Sequence, residues 1–110
     1  AYSGYLLGRF HTEDAGEKIL LYREAVKQFD KSLRSAQIGP QFRQYTRKGL
    51  MKTLTYLGFE EFELDQLKQS KKHFHQALEI IEENFPEMEF WERLVHSNLV
   101  EVEERLGNPN

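Results

Sequence analysis

From Ile19 to Leu106 the large apolar residues of this chain return every three or four positions, and no strand-like alternation persists. Such spacing puts one apolar stripe on each helix and leaves little that a sheet could use. After a short apolar opening (Tyr2, Tyr5, Leu6, Phe10), the segment 12–16 supplies cap and turn residues. A first helix carries Ile19, Tyr22, Val26, Phe29 and Leu33. Ile38, Gly39 and Pro40 are read as its end, with Gly39 suited to a left-handed cap and Pro40 unable to continue the ladder. A second helix is expected over about residues 41–64, with Phe42, Tyr45, Leu50, Leu54 and Leu57 as its stripe. Asp65 and Gln66 form a turn. A third helix carries Leu67, Ser70, Phe74, Ala77, Leu78 and Ile81 and breaks at Asn84, Phe85 and Pro86. A fourth carries Trp91, Leu94, Val95, Leu99, Val102 and Leu106, closed by Gly107, Asn108 and Pro109. Four helices on short turns pack as antiparallel neighbours. The expected architecture is a single all-α domain over residues 1–110.

The chain also matches itself. Tyr22, Ala25, Phe29 and Leu33 recur 45 positions later as Leu67, Ser70, Phe74 and Leu78. Leu57, Leu64 and Asp65 recur 42 positions later as Leu99, Leu106 and Gly107. Repeats of two helices each are the sign of an α-solenoid, in which no hairpin buries its apolar face alone. The residues of these matches (Leu57 and Gly58, then Asp65, then Ser70-x3-Phe74-x2-Ala77) resemble the tetratricopeptide repeat (TPR) family over about residues 19–108. Asn98 and Leu99 resemble the first helix of a next repeat, and Ala25-x3-Phe29-x2-Ser32 the second helix of a previous one. The spacing is closest to the longer repeats of kinesin-light-chain type. The sequence departs from the pattern at Glu61, where an aromatic is usual, at Ser70 in place of Ala, and in lacking a clear opening helix. Gly58 and Ala77 are expected to let helix backbones approach where Phe74 fills the gap.

The resemblance implies stacked antiparallel hairpins with first helices lining a groove for an extended or helical peptide. Carried onto this chain, the groove positions are Lys52, Thr55, Tyr56, Phe59 and Phe62, then Leu94, Ser97, Asn98 and Glu101. Tyr56 and Phe59 are the expected anchors, since aromatic rings supply contact area at low entropy cost. Trp91 is expected to plug the junction between hairpins. A closed three- or four-helix bundle is the alternative. Asp14, Ala15 and Gly16 followed by Tyr22, Arg23, Glu24 and Ala25 faintly resemble microtubule-interacting-and-trafficking domains, which bind amphipathic helices.

Chemistry of other classes finds little purchase. The chain has no cysteine, which removes disulfides, thiolate metal sites and cysteine nucleophiles and fits a reducing compartment such as the cytoplasm. No apolar run approaches the roughly 20 residues that cross a bilayer. Residues 1–10 lack a basic leader and a cleavage site, and the missing initiator Met together with the unpaired last helix reads as a segment of a larger protein. His73 and His75 are two apart and point to different helix faces, and His96 lacks an acidic partner one turn away, so no metal site is expected. His11 lies in a presumptive loop beside Glu13 and Asp14. The histidines are read as solvated or at the core edge. The pairs Glu60–Glu61, Glu82–Glu83 and Glu103–Glu104 diverge by about 100° per residue and read as solvated edges. With no nucleophile motif, phosphate loop or converging polar site, the chain reads as no enzyme and as needing no cofactor.

Charge is segregated. Residues 31–52 hold six bases and no acid, whereas residues 79–104 hold nine glutamates against Arg93. Such charges line solvated faces between neighbouring repeats or receive a charged peptide. The net charge of -3 argues against nucleic acid, although Arg43, Tyr45 and Arg47 mix base and aromatic. The partner expected is a protein or peptide, with self-association through exposed terminal helices a further expectation.

Overall fold

A computed structural model describes residues 14–35 and 37–107 of the chain. The opening apolar stretch, His11 and the Asn108–Pro109 stop lie outside the described residues. The described residues form four α-helices: α1 Ala15–Arg34, α2 Pro40–Glu63, α3 Leu67–Asn84 and α4 Glu89–Arg105. Their ends follow local chemistry. Asp14 caps α1 by accepting from the Glu17 N–H at 3.0 Å, with Glu17 in the positive first turn. The expectation at residues 38–40 needs correction: α1 stops at Arg34, and Gly39, at φ -76°, is the N-cap of α2. Pro40 opens α2, where the missing N–H is no loss. The last carbonyls of α1 are instead held by Arg43, whose guanidinium donates to Leu33 O at 2.7 Å and Ser35 O at 3.1 Å.

The sequence repeat has a structural counterpart at two helix ends. Leu64 N–H donates to Glu60 O and Asp65 N–H to Phe62 O. Forty-two positions on, the same two bonds recur, from Leu106 N–H to Val102 O and from Gly107 N–H to Glu104 O. Asp65 and Gly107 both sit in the left-handed region, at φ 62° and 70°. At Asp65 this conformation turns the chain from α2 toward α3.

α2 is the centre of the molecule. It packs on α1 and on α3, while α4 packs on α3 and touches α2 along a thinner seam. Phenylalanines fill the approach on both sides of α2. A Cβ at Gly49 would lie 2.9 Å from the Phe29 ring, and one at Gly58 would lie 2.8 Å from the Phe74 ring. At the second contact Ser70 Oγ also donates to Gly58 O at 2.7 Å, which satisfies a hydroxyl that is wholly buried. The polar residues inside α2 are handled similarly: Thr46, Thr53 and Thr55 donate to the carbonyls of Phe42, Gly49 and Met51. Around them Met51, Leu54, Leu57, Phe74, Ala77, Ile81, Val95 and Val102 form the core.

Candidate functional site

Three of the groove positions expected from sequence, Lys52, Tyr56 and Phe62, make contacts across the seam between α2 and α4. Successive reversals leave the two helices parallel, and cross-helix contacts show the register. Lys52 Nζ lies 5.4 Å from the centre of the Trp91 ring, and Tyr56 meets the same ring edge-on at 5.9 Å. Further along, the Arg105 guanidinium covers the Phe62 ring at 4.6 Å. Lys48 lies over Phe85 at 5.6 Å, where the chain turns into α4. Three cations are thus held on aromatic rings in a row, an arrangement that keeps aliphatic stems packed and charged heads at the surface. Neither Lys48 nor Lys52 forms an ion pair among the described residues.

Asn98 lies two helical turns from Trp91 and two from Arg105, on the same face of α4. It therefore lies on the α4 face that carries the contacts to α2. Its Nδ2 is shielded from water and has no hydrogen-bond partner among the described residues. Phe59 is 37% exposed and rests edge-on against Phe74 at 6.4 Å. Tyr56 is half-buried and stacks on Tyr22 of α1 at 6.1 Å as well as on Trp91. Thr55 is the exception. It is fully buried with its hydroxyl on Met51 O, although it lies one and two turns before Phe59 and Phe62 on the same helix face. Leu94 is half-buried, and Ser97 and Glu101 are exposed. Trp91 stands at the α2–α4 contact, with Phe90 edge-on against it at 6.3 Å.

A second polar feature departs from the sequence reading. Glu61, expected on a solvated edge, is completely buried. One carboxylate oxygen accepts from Arg23 of α1 at 3.2 Å, and the other lies 2.6 Å from His73 Nδ1 of α3. The carboxylate accepts, so the ring proton belongs on Nδ1. The same Arg23 nitrogen also donates to Gln66 Oε1 at 3.2 Å. Every oxygen of Glu61 is engaged, and the cluster ties three helices together without leaving a free reactive group on the carboxylate. His73 sits at the core edge, while His75 and His96 are exposed. Among the described residues no group of three or more acidic or histidine side chains is placed to hold a metal ion. No described helix is long and apolar enough to cross a membrane.

The i, i+4 spacing of Lys48, Lys52 and Tyr56 is plain in the sequence, whereas Glu61 stands out there only as a departure from the repeat pattern, where an aromatic is usual. A lone glutamate beside Glu60 looks solvated until Arg23 and His73 are brought to it from 38 positions before and 12 after. Compared with protein-family models, curated proteins and solved structures, the chain matches none.

Proposed function

We propose that the chain is a TPR-like, open-stacked protein-interaction module that binds a peptide or helical segment of a partner protein along the α2–α4 seam. The observation that carries this reading is Asn98 Nδ2, a donor withdrawn from water and left without an acceptor among the described residues, on the α4 face that meets α2. An unmet buried donor costs about 1–3 kcal/mol, which a ligand carbonyl placed there recovers. Aromatic surface at Tyr56 and Phe59 and the ammonium groups of Lys48 and Lys52, which form no ion pair among the described residues, lie along the facing helix α2. The seam therefore takes a segment with an apolar anchor and acceptor groups. Open stacking is supported by packing: each helix rests mainly on its neighbours in sequence, and α1 has no substantial contact with α4, as closure of a bundle would require. The rigid helices preform the groove, so little ordering entropy opposes binding. A chain without cysteine accords with action in a reducing compartment such as the cytoplasm.

The test is selection of binders from a displayed random peptide library, followed by titration of the selected peptides against Phe59→Ala, Lys52→Glu and Asn98→Ala proteins. Each substitution is expected to weaken binding about tenfold or more, as for residues at the centre of an interface. Peptides that bind all three variants as well as the unaltered protein would remove the seam as the site.

A further inference from the structure

A separate slot lies on the opposite side of α2. Because α1 and α3 both flank α2 without packing substantially on each other, they leave a gap of about 180 Å³ between them. Leu50 and Leu54 form its floor, Val26 and Ile80 its apolar sides, and Asp30 and Glu79 stand on its two rims with Gln76. Leu50 and Leu54 are buried, whereas Asp30, Gln76 and Glu79 are exposed. Neither Asp30 nor Glu79 forms an ion pair among the described residues. The other carboxylates of α1–α3 that face inward are engaged: Glu60 with Lys18 and Glu61 with Arg23 and His73.

We propose that this slot receives an arginine side chain of a partner protein. The match is one of shape and charge together. An arginine has an apolar stem of three methylenes and a flat cationic head with five donors. Laid into the slot, the stem covers Leu50 and Leu54 while the guanidinium lies between the carboxylates of Asp30 and Glu79, one from each flanking helix. The amide oxygen of Gln76 is a third acceptor on the same rim. An uncharged apolar side chain would leave both rim carboxylates as they are, and a lysine would bring a compact head unsuited to two-sided, planar contact. The volume admits one such side chain and not a helix, so recognition here is of a single residue. The site is independent of the seam, since none of its lining residues belongs to α4.

Methyl and amide NMR spectra of the whole protein, titrated with a five-residue alanine peptide bearing one central arginine, test the assignment. The control peptide carries citrulline, the neutral isostere, at the same place. Arginine peptide is expected to shift the methyl signals of Val26, Leu50, Leu54 and Ile80 saturably, with the citrulline peptide at least fivefold weaker. Asp30→Asn and Glu79→Gln, both at exposed positions that leave the core intact, are each expected to weaken binding about threefold to tenfold, in keeping with loss of one charge-assisted contact at a surface. Shifts of equal size with citrulline, shifts scattered outside the slot, or indifference to both rim substitutions would each overturn the proposal. So would the absence of any saturable shift.

Discussion

At the scale of single residues, Glu61 is the position where most depends on one side chain. A fully buried carboxylate is tolerated only because Arg23 and His73 meet both of its oxygens. Removing one partner leaves charge in the core with part of its compensation gone, whereas replacing the carboxylate by an apolar residue of similar length removes the demand altogether. His73→Ala is therefore expected to lower stability by about 2–3 kcal/mol, since its contact is short and screened from water. Arg23→Ala is expected to cost less, about 1 kcal/mol, because that side chain is 41% exposed and solvent takes over part of its role. Glu61→Met should cost less than His73→Ala, even though it abolishes both pairs. Urea unfolding monitored by circular dichroism gives the order. If Glu61→Met proves the most damaging of the three, the cluster adds net stability and the reasoning fails.

At the scale of elements, α2 is set by close approach on two flanks, and the two contacts are not equivalent. Gly58 faces a Phe74 ring that is wholly buried, with Ser70 fixing the backbones at 2.7 Å, so the ring has nowhere to move. Gly49 faces Phe29, which keeps some exposure, and Gly49 itself is half-buried. Alanine in a helix gains about 1 kcal/mol over glycine, against an overpacking cost of about 1–3 kcal/mol. Gly58→Ala is expected to be net destabilising by about 1–2 kcal/mol and Gly49→Ala close to neutral, measured by thermal or urea unfolding. Combining Gly58→Ala with Phe74→Leu should recover part of the loss; a strictly additive double variant would show that the ring is not what the new methyl meets.

The same helix shows what could be read beforehand. Leu50, Leu54 and Leu57 of its expected stripe are buried, its end falls at Asp65 and Gly58 lies close to Phe74. Phe42 and Tyr45 of the same stripe are more than half exposed, because the first turns of α2 run past the core. The error at Gly39 and Pro40 has a physical source: glycine then proline serves equally to stop one helix or to cap and open another. Only the position of Arg43, three residues into α2 and reaching back to the α1 carbonyls, decides between them. The burial of Thr55, which shares a helix face with Phe59 and Phe62, depends on how closely the neighbouring helices pack there, which spacing alone does not give. The orphaned donor of Asn98 and the stacking of Arg105 on Phe62 depend on how α4 is set against α2, which no local pattern encodes.

For the molecule as a whole, burial is unevenly shared, and stability must follow it. α2 contributes nine buried residues and is packed on two flanks, whereas α4 contributes Val95, Leu99 and Val102 and leans chiefly on α3. Its outer stripe, Arg93, Ser97, Val100 and Glu104, is exposed, and Phe90 is 70% exposed. The central helix can open only when the whole core does, but α4 can detach while α1, α2 and α3 remain joined through Gly49, Gly58 and Glu61. Native-state hydrogen exchange is therefore expected to find the slowest amides in α2, with those of α4 opening together at a lower free energy than global unfolding. A peptide seated on the α2–α4 seam bridges the stable and the detachable part, so it should slow exchange throughout α4 while leaving α1 nearly unchanged. A peptide bound elsewhere has no reason to produce that pattern. Uniform protection of α1 and α4 on binding would place the ligand off the seam, and equal exchange in α2 and α4 without ligand would mean that the four helices unfold as one unit.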